Sequence, residues 1–289
     1  MKLLRRIIAI TAALTVCITL ASCSSQKEDN GVAYEKNRKI SKAADLEGKA
    51  VAVQLRSGED ELVSKNLTNY PKRYSDMTKA VQDLIDKKVA AVVVDSNYAK
   101  QLTNGVDGVK IVKGSVGSVE YRFLLNKSDA KLAEKINAQI ASLKESDDYK
   151  SMVESEMANG KNYRIAKDSE KELKNTFTLV TEPSFKPFTY EKKGEVSGLF
   201  AAIADGVAYG CGGRLDAKTV EPVEINDTSS NNTDETTTFN TNEAQTIKGA
   251  KRAFCVVTSE AEADDTLFVT TDSFYTSQLV MIIRAEEKK

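Results

Sequence analysis

The 289 residues carry 41 Lys and Arg against 42 Asp and Glu, too even a balance to supply the basic clusters that nucleic acid demands. There is no His and no Trp, so the usual neutral-pH acid/base group and the commonest metal ligand are both missing; hydrolase triads, zinc sites and, more broadly, catalysis become minority expectations, with no metal or cofactor expected. With 41% hydrophobic residues, the chain can build cores for two domains of ordinary size.

In chain order, the first element is a leader. Lys2, Arg5 and Arg6 precede an apolar run from Ile7 to Leu20 that is too short for a stable bilayer anchor, so residues 1–22 read as a secretory signal. Leu20-Ala21-Ser22-Cys23 resembles the bacterial lipobox, in which Cys23 is lipidated and becomes the first mature residue. An ordinary secretory signal with an incidental cysteine is the alternative. The expected location is therefore the extracytoplasmic face of a cell membrane, reached through a lipid on Cys23. Removal of the signal takes three basic residues and leaves 38 against 42, a net charge of −4. Residues 23–39 are polar, with charges of both signs, and read as a flexible tether.

From Ile40 the pattern alternates. Ala50 to Val53 reads as a short buried strand, Met77 to Ile85 as an amphipathic helix capped by Ser75 or Asp76, and Val89 to Val94 as an unbroken apolar strand. Strands apolar on both faces point to a parallel sheet covered by helices. Val109 to Val112 and Val119 to Leu125 are further strand candidates. Ser128 opens a helix with Leu132, Ile136, Ile140 and Leu143 on one stripe, and a shorter helix follows near Tyr149 to Met157. Residues 159–175 are polar and read as a linker between an α/β lobe at 40–158 and a second at 176–289. In the second lobe, Phe177 to Val180, Thr219 to Ile225, Ala253 to Thr258 and Leu279 to Ile283 read as strands and Leu199 to Tyr209 as a helix. Asn226 to Asn242 reads as a surface loop. Cys211 and Cys255 are expected as two separate thiols, with a disulfide as the alternative.

The first lobe contains Ala44-Asp45-Leu46-Glu47-Gly48-Lys49, Gln54-Leu55-Arg56-Ser57-Gly58, Arg73-Tyr74 before Met77 to Val81, and Ala91 to Asp95. The second contains Thr181-Glu182-Pro183-Ser184-Phe185-Lys186-Pro187-Phe188-Thr189-Tyr190, Gly198, and Asp272 to Ser277. In these stretches the chain resembles the extracellular solute-binding proteins of family 3, the amino-acid receptors of ABC importers, with the family's second lobe placed first. The resemblance implies a type 2 periplasmic-binding-protein fold: two α/β lobes in permuted order, each a mostly parallel sheet flanked by helices. Permutation is physically cheap where the original termini lie close together. Closure within one chain is expected over a domain-swapped dimer.

The resemblance also implies a site for a small polar ligand and a partnership with an importer permease. In that family an aromatic ring packs on the ligand, Arg and hydroxyls hold its carboxylate, and an acid holds its ammonium. Carried over, Asp95 corresponds to the ammonium-binding acid, Ser57 to a carboxylate-binding hydroxyl and Phe185 to the stacking ring. Phe188 and Glu182 belong to the same motif, Phe188 supporting the cleft wall, and Thr258 and Ser259 are further hydroxyls. Structural readings compete: Asp95 and Ser57 as helix caps, the two Phe as core. The family's clamp arginine is missing, because Glu260-Ala261-Glu262-Ala263-Asp264-Asp265-Thr266 stands in its place; Arg56 is a candidate substitute from the other lobe, with an ordinary surface arginine as the alternative. Leu199-Phe200-Ala201 likewise lacks the acid that usually follows the glycine. A cationic or carboxylate-free ligand suits these charges better than an amino acid. The alternatives are a binding, sensing or scaffold lipoprotein without transport and with a degenerate pocket and, more remotely, a dehydratase-like enzyme relying on Glu182.

Overall fold

Strand β1 (Val51–Gln54) is buried at all four positions, as an apolar run covered on both faces must be. The computed structural model describes residues 40–66, 71–168, 172–220, 241–258 and 264–285, with the side chains of 241 and 242 excepted. The signal, Cys23, the tether, Ser259 and residues 260–263 lie outside the described residues. After β1 come α1 (Gly58–Asn66), the short edge strand β2 (Lys72–Tyr74) and α2 (Met77–Ile85). Helix α2 buries Met77, Ala80, Val81 and Leu84, and Asp76 caps it by accepting the Thr78 N–H at 2.9 Å. The fully buried β3 (Ala91–Asp95) runs directly into α3 (Ser96–Thr103). Next are β4 (Val109–Ile111), β5 (Gly117–Asn126), α4 (Ala130–Lys144) and α5 (Asp147–Val153), which continues as a π-helical turn over Glu154–Ala158. The buried stripe of α4 is Ala133, Ile136 and Ile140, with Leu132 and Leu143 at its margins.

The second half begins with β6 (Asn175–Thr181), followed by a small antiparallel sheet of β7 (Ser184–Phe185), β8 (Thr189–Lys192) and β9 (Glu195–Ser197). Helix α6 (Leu199–Gly210) is apolar almost all round and correspondingly buried. The remaining elements are β10 (Gly213–Thr219), α7 (Thr241–Ile247), β11 (Ala253–Thr258) and β12 (Phe268–Arg284). Two expectations need correction here. The strand read over Thr219 to Ile225 ends rather than starts at Thr219, because Leu215 and Ala217 alternate with polar residues as an edge strand with one covered face requires; residues 221–225 lie outside the described set. The stretch read as a loop through Asn242 contains the start of α7. The strand read over Leu279 to Ile283 is the end of the 17-residue β12.

The main sheet runs β10-β6-β11-β5-β12-β3-β1-β2, with β4 alongside β12. Its flanks are parallel: β6 pairs with β10 and β11, and β1 with β2 and β3. Antiparallel β5 and β12 join the flanks. Tyr121 to Leu125 of β5 pair with β11, while β12 follows β5 along Phe268 to Leu279 and then pairs with β3 and β4 as far as Arg284. The end of the chain thus completes the sheet begun at its start, giving the α/β architecture expected, with two halves joined through two long strands.

Candidate functional site

In parallel α/β sheets, ligands gather outside the carboxyl ends of the strands. Here the carboxyl ends of β1, β6 and β11, drawn from both halves, are in contact. Arg56, just beyond β1, places Nη1 3.3 and 3.2 Å from the two carboxylate oxygens of Glu182, just beyond β6. Gln54 Nε2 donates to the Lys186 carbonyl at 2.8 Å, and Thr258 Oγ1 at the end of β11 donates to Glu61 Oε2 in α1 at 3.3 Å. Arg56 itself sits at φ +59°, a left-handed conformation that a non-glycine residue adopts only when its surroundings enforce it.

Around the Arg56–Glu182 pair is a cavity of about 20 Å³, room for roughly one water. It brings together Arg56, Glu182 and Phe185 of the expected residues and adds Thr181, Thr189, Phe200, Glu243 and Val256. Phe185 stacks on the fully buried Phe188 at 4.9 Å between ring centroids, and Phe188 in turn packs on Phe200 at 4.9 Å and Tyr121 at 5.5 Å. Gly198 fixes this aromatic wall. Its φ of +107° suits glycine, and the Leu199 and Phe200 N–H groups of α6 donate to the carbonyls of Pro187 and Phe188.

Two carboxyls line the cavity, and burial holds both toward the protonated form. Burial raises the Glu182 carboxyl above the ordinary range, against the pull of Arg56. Glu243, buried on α7, is pushed up to about 8, first by burial and then by the charge of Glu182. Sequence reasoning missed Glu243, because it stands at the end of a Thr/Asn/Asp-rich stretch and only Ala244 and Ile247 hint at a covered helix face.

Asp95 and Ser57 are buried and do not line this cavity. Asp95 Oδ1 accepts the N–H groups of Asn97 and Tyr98, capping α3, while Oδ2 accepts the hydroxyls of Tyr275 at 2.7 Å and Ser277 at 2.8 Å. All four lone-pair directions of the carboxylate are thereby used by the protein itself. Ser57 accepts the Asp60 N–H at 3.1 Å and donates to the Gln54 carbonyl at 2.8 Å, the geometry of an N-cap on α1. Glu59, in the first turn of α1, is fully buried with Tyr121 Oη 3.5 Å away and its Oε1 without a hydrogen-bond partner; desolvation pushes its carboxyl up to about 7, and the charge of Asp95 adds to the shift. Cys211 and Cys255 are both free thiols.

A larger open groove of about 730 Å³ lies between α3 and α5, lined by Asn97, Lys100, Tyr149 and Asn159 among others, and contains none of the expected residues. Among the described residues no group of three or more His, Cys, Asp or Glu is placed to hold a metal ion, and no helix is long and apolar enough to cross a membrane.

No sequence family matches the chain, and no curated protein does. Solved structures similar to it include a phosphate-binding protein of a phosphate ABC transporter from Streptococcus pneumoniae TIGR4, at 11% identity and TM-score 0.40 over 83% of this chain and 90% of that one. The GluR0 ligand-binding core in complex with L-glutamate is similar at 8% identity and TM-score 0.37, over 82% and 85%. Full-length CbnR with its target DNA is similar at 12% identity and TM-score 0.38 over 83% of this chain, which spans 64% of that protein's length. CbnR, a LysR family transcriptional regulator, is likewise spanned over 63% of its length in a second structure.

Proposed function

We propose that the protein is a lipid-anchored, extracytoplasmic solute receptor of an ABC importer, which closes its two halves on a small polar ligand, amino-acid-like or cationic, and delivers it to a permease. On this reading Cys23 carries the lipid, residues 23–39 lift the body from the membrane, and residues 40–158 and 176–289 are lobes in permuted order. One observation carries the proposal: polar side chains from both halves converge at the carboxyl ends of β1, β6 and β11, while β5 and β12 join those halves as two continuous strands. Closure about such a connection is the hinge mechanism open to this architecture, and no covalent step is required. Arg56, Glu182, Phe185 and Glu243 line the ligand space; Phe188 backs the aromatic wall, and Ser57 and Asp95 cap α1 and α3.

A second reading, a binding or scaffold lipoprotein without transport, is favoured by a specific observation. The Arg56–Glu182 pair occupies the middle of the site, and the space left around it is about 20 Å³. Calorimetry and thermal-shift measurements against amino acids, polyamines and sugars separate the two. A saturable response to one compound supports the receptor; silence across all three classes supports the scaffold.

A further inference from the structure

We propose that the cleft receives a compact cation, a guanidinium or primary ammonium head with no carboxylate beside it, and that Arg56 is its internal surrogate, displaced from Glu182 when the ligand enters. The proposal rests on the reading of the cleft as a ligand site.

The ionisable groups lining the cavity are two carboxyls, Glu182 and Glu243, and the guanidinium of Arg56, so Glu182 is the anion that Arg56 neutralises and Glu243 adds a buried carboxyl beside it. Arg56 Nη1 faces both oxygens of Glu182, the way a bound guanidinium or ammonium would donate to that carboxylate. Among the described residues, backbone donors at the starts of α6 and α1 are already engaged. The first N–H groups of α6 are taken by the carbonyls of Pro187 and Phe188, and those of Asp60 and Glu61 in α1 by Ser57. A zwitterion would have to wedge between Arg56 and Glu182, whereas exchanging one guanidinium-sized head for another conserves volume in a space that has room for about one water.

Arg56 is also built to leave. Its side chain is 21% exposed, which leaves it a path to solvent when a competing cation takes over Glu182. Its left-handed backbone shows that the turn after β1 positions it over Glu182 at a local cost. Phe185 and Phe200 then supply aromatic surface for the apolar part of the ligand.

The test is calorimetric titration of the full chain and of Arg56→Gln, Arg56→Lys and Glu182→Gln with ethylguanidinium, ethylammonium, agmatine, alanine and glutamate, after melting curves confirm that each variant folds. The expected result is that the parent binds the cations, Arg56→Gln binds them roughly five- to tenfold more tightly because the competing head is gone, and Glu182→Gln loses them. Arg56→Lys, which keeps a competing charge, stays near the parent. If the parent binds alanine or glutamate and Arg56→Gln loses that binding, Arg56 is a carboxylate clamp; the surrogate idea falls and the receptor reading stands. If cations bind only to Arg56→Gln, they merely fill the space left by the substitution, and the proposal is overturned. Failure of all five probes with both the parent and Arg56→Gln sinks the proposal, and extension of that silence to the amino-acid, polyamine and sugar panel removes the receptor reading as well.

Discussion

Tyr275 donates its hydroxyl hydrogen to Asp95 at 2.7 Å, tying β12 to the end of β3 across 180 residues of sequence. Tyr275 lies within the stretch of β12 that pairs with β5, just after the register shifts between Thr270 and Tyr275 and before the pairing with β3 begins at Leu279. Those irregularities re-aim the strand and bring Tyr275 and Ser277 onto one carboxylate oxygen.

Asp95→Ala should therefore act first on stability. It removes the cap of α3 and leaves two buried hydroxyls without their acceptor, costing about 2–4 kcal/mol and lowering Tm by roughly 5–10 °C. Thermal unfolding followed by circular dichroism reads this directly, and a melting temperature equal to the parent's would show that the network contributes nothing.

Glu59 gives a pH signature. An unfolded glutamate ionises near pH 4.5, whereas the buried carboxyl holds its proton up to about 7. As pH rises between those values the unfolded chain releases a proton that the folded chain retains, so stability is lost over that window and the loss is complete above it. Glu59→Gln removes the loss. Its Tm should exceed the parent's at pH 8, reflecting a stability gain on the order of 3 kcal/mol at most, and the difference should close toward pH 4.5. Parallel melting curves at the two pH values would refute this.

Gly198→Ala should be strongly destabilising. A Cβ there would sit 2.5 Å from the Phe188 carbonyl oxygen and 2.6 Å from that of Pro187, both backbone atoms, in a conformation at φ +107° that side chains avoid. Strain alone contributes about 1–3 kcal/mol, and relieving the clash would pull the Phe185–Phe188 wall off α6. Urea titration measures the loss; an unchanged midpoint would mean that the turn relaxes freely.

Local chemistry wrote much of this architecture plainly. The apolar runs at Val51 and Ala91, the 3.6-residue spacing in α2 and α4, and the Asp76 cap are short-range signals, and each element formed where its residues implied. β10 was harder to read, because an edge strand with half its residues in solvent carries few apolar side chains. α7 was hidden for a similar reason, since only Ala244 and Ile247 mark its covered face.

The site divides along the same line. Ser57 and Asp95 are helix caps within three residues of the N–H groups they satisfy, so that role is visible in sequence. The pairing of Arg56 with Glu182, 126 residues apart, is not. Neither is the burial of Glu243 beside them.

By itself, the sequence determined the α/β alternation, the most apolar strands and amphipathic helices of both halves, and the lack of histidine chemistry, because these follow from composition and from spacing within a few residues. Only the tertiary structure decided that β12 closes back on β3 and β4, that Asp95 is saturated by Tyr275 and Ser277, and that Arg56 pairs with Glu182 in a cavity that Glu243 also lines. The physical reason is that pairing energy depends on distance in space and on desolvation. Both are set by how distant strands are brought together, and no local pattern encodes them.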